Sequence, residues 1–448
     1  MAQREALHRS RFWRFCPSLA GISVYLLFVL LWFAAPHAYA ALLWAADAMA
    51  QTPRPFNDLG AILQAGSCWR HGVNVYAPSA CMHGGIYNYS PFLLHLMPRQ
   101  GSPQVLLRRG VALGLVFLTT LCALPAARTR GELALRVLGT CSGSVIFALE
   151  RGNFDVVIFI LILLGVLLLR LKSSLALLGY AVFLFAASCK FYPAVLLALL
   201  LRERPARLLI VTICIAVAGL SYLTLFAHGT LAAAGVLPVG LPFKGIFGAA
   251  DIPFGLILLH NMRIWTLQPD AAQYLTAIHH PGVIPLIRAA SWALTLSGVA
   301  AGMRAAPLYA ASLDRLDEAR RLPLLAGAML MVFCFFLVQN IPYRAIFLLL
   351  TLPGLTAMAA TAKGQAKRNF SFLSKGCLIL LWEDALRNLV AVTAHLALPP
   401  AMIFYPEFLF WLVSECLWWW VIIQFTALLM CFLRAAWARL RAERMVFS

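Results

Sequence analysis

The sequence predicts an all-α, polytopic integral membrane protein, and three observations carry that prediction. Of the 448 residues, 62% are hydrophobic and only 12% are charged, against roughly 25% charged in a soluble domain. Mean hydropathy is +0.83, and the apolar residues gather into runs that approach the roughly 20 residues a helix needs to cross the hydrocarbon layer. Finally, the charges fall mostly between those runs and are unequal, with 36 Lys and Arg against 17 Asp and Glu.

A formal charge of +19 can signal a nucleic-acid partner. Here no basic domain lies outside the apolar runs. Lys and Arg retained in short cytoplasmic loops produce the same excess, so the implied partner is the lipid bilayer, with no nucleic acid.

About twelve spans are expected, near 17–36, 109–127, 133–149, 153–170, 174–189, 191–202, 206–226, 287–303, 322–338, 345–361, 376–398 and 408–433. The first follows a basic start, "MAQREALHRSRFWRF", and precedes "AYA" at 38–40, which together imitate a secretory signal. Its apolar run is too long for a typical signal core, so it reads as an uncleaved first helix. The fifth and sixth are short. They form either one interrupted helix or a pair turning at "CKFYP", where Pro193 lacks a backbone donor.

Charge decides between these. With a turn at Lys190 and the N-terminus inside, seven basic segments holding 24 of the 36 Lys and Arg all fall on the cytoplasmic side. A single long helix would send every later cluster outward. Both termini are therefore expected in the cytoplasm of a bacterial inner membrane. The chain divides into 1–226, which includes a first periplasmic loop 37–108 with amphipathic helices, a periplasmic loop 227–286, and a C-terminal membrane module 287–448.

Most of the 11 cysteines sit in apolar runs as small hydrophobes. Cys68 and Cys81 share the first outer loop, where they either pair or stay free. No Cys/His spacing suits zinc.

On this topology the outer loops and helix ends collect Asp58, Trp69, Arg70, Asn74, Tyr76, Tyr87, Asn88 and Tyr89. "ERGNFD" adds Glu150, Arg151, Asn153 and Asp155, and the turn adds Lys190 and Tyr192. Loop 227–286 adds Lys244, Asp251, His260, Asn261 and Arg263, and "QNIPYR" adds Gln339, Asn340, Tyr343 and Arg344. Ionised groups near lipid persist when they face a cavity, a partner or a substrate. One base, several cations and a set of aromatic and amide side chains suit a sugar on an anionic lipid phosphate. Arg and Lys hold phosphate, Asn and Tyr bond sugar hydroxyls, and a carboxylate takes a proton. The alternative is that these residues cap helices and line watered loops.

The order "FNDLGAILQAG", "WRHGVNVYAP", "YNYSPFLLHL", "ERGNFDVVIFILILLGVLLLR" and "CKFYPAVLLALLLRERP" resembles the GT-C superfamily of membrane glycosyltransferases. It is most similar to the family 87 type, which includes polyprenyl-phosphate-mannose-dependent mannosyltransferases and arabinofuranosyltransferases. The matching positions are Asp58, Gly72 to Tyr76, Tyr87 to Pro91, Arg151 to Asn153 and Lys190 to Pro193. "ERGN" carries Arg-Gly where that family usually has Gly-Gln, and Ser90 interrupts "YNYSP", so the sugar is not carried over. The resemblance covers roughly the first 210 residues.

It implies a GT-C fold that moves mannose or a related sugar, with inversion, from a polyprenyl-phosphate donor to a glycan or glycolipid acceptor at the periplasmic face. Asp58 would be the catalytic base. Lys190, Arg344 and Arg151 would bind the donor phosphate, and Asn153, Tyr76, Tyr87, Tyr89, Arg70, His260 and Asn261 would bind sugar or acceptor. No metal and no cofactor are expected.

Two other readings stay open. An O-antigen polymerase or ligase would use His260, Arg263, His279 and His280 in the late outer loop. A polyprenyl-lipid transporter or flippase would show repeated halves, and none is evident. Inside the eleventh span, Glu383, Asp384 and Arg387 are spaced to pair along a helix, as a neutralised structural patch or as a proton path.

Overall fold

A computed structural model describes residues 2–45, 55–98, 101–171, 174–236, 243, 245–262, 282–337 and 339–447. Side chains are described for these except at 2–11, 258, 260–262, 401 and 443–447. The described chain is helical, and its one β feature is an isolated antiparallel bridge between Phe247 and Asn340.

The twelve expected segments fall on helical structure, 133–149 on two helices that meet at Cys141 and Ser142 and 191–202 on a 3-10 segment. α1 (Ala2–Ala34) leads into α2 (Pro36–Ala45) and the loop helices α3 (Asn57–Arg70) and α4 (Pro91–Leu96). Then follow α5 (Pro103–Thr120), α6 (Arg130–Thr140), α7 (Gly143–Arg151), α8 (Phe154–Leu169), α9 (Leu177–Cys189), a 3-10 segment Tyr192–Arg202, and α10 (Pro205–Gly235). The second half comprises α11 (Asp251–Met262), α12 (Val283–Ala305), α13 (Ala310–Asp314), α14 (Glu318–Leu337), a 3-10 segment Pro342–Phe347, α15 (Leu348–Thr361), α16 (Gly364–Leu381), α17 (Glu383–Ala397) and α18 (Phe404–Phe447).

Eight helices among the described residues are long and apolar enough to cross a membrane, so the chain is a helical membrane protein. The remaining segments are shorter or divided. Phe154–Leu169, Ser174–Cys189 and Tyr192–Arg202 are short apolar helices, and the expected span 376–398 is split at Trp382 between α16 and α17. Tyr192 and Pro193 open the 3-10 segment after an extended Lys190, which makes residues 190–193 a turn between two short elements.

The helices α14 and α15 form the centre, where an apolar helix can be buried all round. They approach closely because Gly327 and Gly354 face each other's helix: a Cβ on Gly354 would lie 2.7 Å from that of Leu324. At one end, buried Arg320 donates to Glu132 at 2.8 Å and to the Pro353 and Ala126 carbonyls, each at 2.7 Å. α10 lies at the periphery with Leu209, Ile213, Val217 and Leu220 all exposed, a surface that water would oppose and hydrocarbon accepts.

At the opposite end, the loop 55–98 folds over the bundle. Cys68 and Cys81 are disulfide-bonded across it, with Cα atoms 6.0 Å apart. Phe56 takes a left-handed φ of 63° and its N–H donates to the Glu150 carbonyl at 2.6 Å, which sets the start of α3 against the end of α7.

Candidate functional site

The site begins at the corner between α7 and α8. Gly152 ends α7 with φ 58°, and a Cβ there would stand 3.0 Å from that of Leu59. Both the left-handed backbone and the close approach of α3 therefore call for glycine. Asn153 then caps α8, its Oδ1 accepting the Asp155 N–H at 2.9 Å as an N-cap side chain does. The same Asn153 donates through Nδ2 to Asp58 Oδ2 at 2.7 Å. One residue thus ties the first turn of α3 to the first turn of α8.

Asp58 takes a second partner from α7. Arg151 donates to its Oδ1 from Nε at 2.9 Å and from Nη2 at 2.5 Å. The side chains are 16% and 26% exposed, so this pair is open on one side. Asp58 lies in the first turn of α3, but no side chain caps that helix.

Asp155 is fully buried and gathers three donors: Lys190 Nζ at 2.6 Å, the Tyr192 hydroxyl at 2.6 Å and Arg344 Nε at 3.3 Å. Arg344 also donates to Asn340 Oδ1, while Asn340 Nδ2 donates to the Cys334 carbonyl at 2.8 Å. Lys190 Nζ stands 5.0 Å over the Tyr89 ring, and the Arg344 guanidinium 5.1 Å over the Tyr192 ring, within the range of cation–π attraction. Arg151, Lys190 and Arg344 therefore meet Asp58 and Asp155, a surplus of one positive charge among these five.

A cavity of about 670 Å³ opens against the first pair, walled by Asp58, Arg151, Tyr87, Asn88, Tyr89 and Tyr343 among others. Burial pushes the Tyr87 and Tyr89 phenols well above their ordinary value, and Asp58 and Asp155 push Tyr89 the same way. Both remain neutral hydroxyls that can donate or accept. Lys190 sits behind Tyr89.

The expected site residues are thus distributed unevenly. Asp58, Arg151, Asn153, Lys190 and Arg344 form one connected network through Asn153, and Tyr87 and Tyr89 wall the cavity. Tyr76 lies 5.7 Å from Tyr87, ring to ring, but lines a separate cavity of about 650 Å³ with Trp69, His95, Phe226 and His228. Arg70 points elsewhere, donating to the Met97 carbonyl at 2.9 Å. The side chains of His260 and Asn261, and residues Lys244, Arg263, His279 and His280, lie outside the described set.

Reading the sequence alone left Asp155 without a role, although it ends "ERGNFD". Its signal was an acid in the first turn of an otherwise apolar helix, a position that requires a partner in lipid. Among the described residues no three His, Cys, Asp or Glu side chains are grouped to hold a metal ion. What the fold and the site define is a helical membrane protein with a buried charge network opening to a cavity at one end. The chain matches no family model, no curated protein and no solved structure.

Proposed function

We propose that the protein is an inverting glycosyltransferase of GT-C type, moving mannose or a related sugar from a polyprenyl-phosphate donor to a glycan or glycolipid acceptor. The observation that carries this reading is Asp58. It is a carboxylate oriented by Arg151 and Asn153 in the wall of a 670 Å³ cavity, beside a network with a surplus positive charge. On this reading the chain has twelve spans with both termini cytoplasmic, and the cavity faces the periplasm.

Three roles follow from the geometry. Asp58 Oδ1 accepts two hydrogen bonds from Arg151 and Oδ2 one from Asn153, and Oδ2 uses its remaining lone pair to accept the proton of the attacking hydroxyl, a contribution of about 10²–10⁴-fold. Its two donor residues, Arg151 and Asn153, hold its rotamer. Arg151 is the cation in the cavity wall and meets the donor phosphate first. Lys190 and Arg344, already paired with Asp155, add positive potential from behind Tyr89. The phosphate leaves without a protonated acid opposite, so one base suffices.

The test is transfer from polyprenyl-phosphate mannose to a membrane glycolipid fraction by the purified protein in nanodiscs. Transfer by the wild type, reduced at least about a hundredfold in Asp58→Asn with donor binding retained, is the expected outcome. Near-normal transfer by that variant removes Asp58 from the mechanism. Substrate uptake into vesicles without any transfer moves the protein to the transporter class.

A further inference from the structure

The acidic patch at the start of α17 is larger in space than in sequence. Glu383 accepts from Ser414 Oγ and from Trp418 Nε1, the latter at 2.7 Å. Asp384 lies 3.4 Å from Arg387 Nη2, and Arg387 Nη1 donates to the Phe243 carbonyl at 3.1 Å. Glu383 is thus held by two donors, while Asp384 has the ion-pair contact and its Oδ1 accepts no hydrogen bond. Two further acids, absent from the local sequence, join it: Asp251 at the head of α11 and Glu415 in the N-terminal third of α18.

Asp251 is 0% exposed and Glu415 is 1% exposed. The two carboxyls and the Trp411 indole face one another; none of the four carboxyl oxygens accepts a hydrogen bond from a described residue, and the buried Trp411 Nε1–H beside them is a donor with no acceptor in bonding geometry. Two ionised carboxylates side by side in a buried site repel, and each loses hydration on burial. A proton between them converts the repulsion into a hydrogen bond. Burial raises the Asp251 carboxyl, consistent with a retained proton.

Among the described residues, the elements around the pair carry the following charged and titratable groups. From α17 come Glu383, Asp384 and Arg387, the last against Asp384 and Phe243. From α18 come Trp411, Cys416 and Glu407, whose Oε1 lies 3.9 Å from His395. On α12, Arg288 is exposed. From the segment 339–344, Arg344 is committed to Asp155.

We propose that Asp251 and Glu415 form a proton-binding site, one proton shared between the two carboxyls, and that this proton fastens the segment 245–251 to α18. The segment is anchored at few other points. Phe247 stacks on Trp418 with ring centroids 4.0 Å apart, its backbone pairs with Asn340 at 2.9 and 2.8 Å, and Ala249 N–H donates to the Phe335 carbonyl at 2.8 Å. Asn340 in turn accepts from Arg344. Loss of the proton places like charges in contact under the segment, and the displacement runs through Phe247 and Asn340 to the Arg344 cation. The site is independent of the glycosyltransferase reading.

The experiment is infrared spectroscopy of the full-length protein in nanodiscs, titrated from mildly acidic to alkaline buffer, with tryptophan emission followed in parallel. At neutral pH the wild type should show the C=O stretch of a protonated carboxylic acid, shifted in deuterium oxide and lost on alkaline titration together with a change in emission. The Asp251→Asn, Glu415→Gln double variant should lack that band and that emission change. The unmodified protein alone can overturn the proposal, by showing no protonated-carboxyl band at neutral pH. An identical band in the double variant overturns it as well. So does a signal that follows replacement of sodium by choline at fixed pH, which would make the occupant a metal ion.

Discussion

Asp155 and the Asp251–Glu415 pair are buried to nearly the same extent, 0% for Asp155 and Asp251 and 1% for Glu415, and the structure treats them in opposite ways. Asp155 has an ammonium, a guanidinium and a phenol around it, so its carboxylate is held by charge-assisted bonds. The two acids of the pair face each other and the Trp411 indole, with no cation paired to them among the described residues. Burial alone therefore does not assign a role to a carboxylate in this protein; the number of donors around it does. A compensated acid is a fixed piece of electrostatics suited to holding Lys190 and Arg344 in place. An uncompensated pair is a group that takes up and releases a proton.

Removing one side of each arrangement breaks the comparison most directly. Asp155→Ala strands two cations, and breaking a buried ion pair costs about 3–5 kcal/mol; reversible SDS unfolding of the purified protein should show a loss of that size. A loss under about 1 kcal/mol would mean that Lys190 and Arg344 find water or another anion.

The pair makes the reverse prediction, through pH. An acid raised in the folded state binds its proton more tightly there than in the unfolded chain. Its stabilising effect is full below the ordinary carboxylate range and is lost as pH rises from that range through the folded value. Wild-type stability should therefore fall with rising pH, by up to about 1.4 kcal/mol per pH unit for one proton. The Asp251→Asn, Glu415→Gln double variant should lose that slope.

Asn153 links the two charge nodes near the cavity and gives a smaller effect. Asn153→Ala removes the α8 cap and one of the two donor residues holding Asp58, and should cost about 1 kcal/mol, with lower transfer at unchanged donor affinity if Asp58 loses its orientation. The smallest effect is expected at neutral pH for the double variant itself. It exchanges neutral or singly charged acids for amides of the same shape and should leave stability within about 1 kcal/mol of wild type, since replacing a buried charged group by a neutral one of similar volume is often neutral or stabilising. A large loss there would show a charged pair with a partner it needs.

Much of the scaffold is legible in the sequence. Hydropathy marks every helix that the twelve expected segments fall on, because a run of apolar side chains carries its own solvent preference residue by residue. Pro193 and Gly152 mark the turns beside the site, since their backbone constraints are local. Asp58, Arg151, Asn153, Lys190 and Arg344 stand out as polar residues at helix ends, and the structure joins them into one network.

The partners within that network are not legible in the same way. That Lys190 and Arg344 face Asp155 while Arg151 faces Asp58, that Arg70 turns to the Met97 carbonyl, and that Tyr76 lines a different cavity depend on how α3, α8 and the 3-10 segment Pro342–Phe347 pack. The same holds for the acidic patch. Along α17 it reads as two acids with one nearby arginine, and only the folding of α11 and α18 against it adds Asp251 and Glu415. Sequence fixes what each short stretch prefers, because helix propensity, hydropathy and turn chemistry act over a few residues. Charge compensation acts through space, and whether a buried acid is paired or protonated is decided by residues that only the tertiary structure brings within a few ångströms.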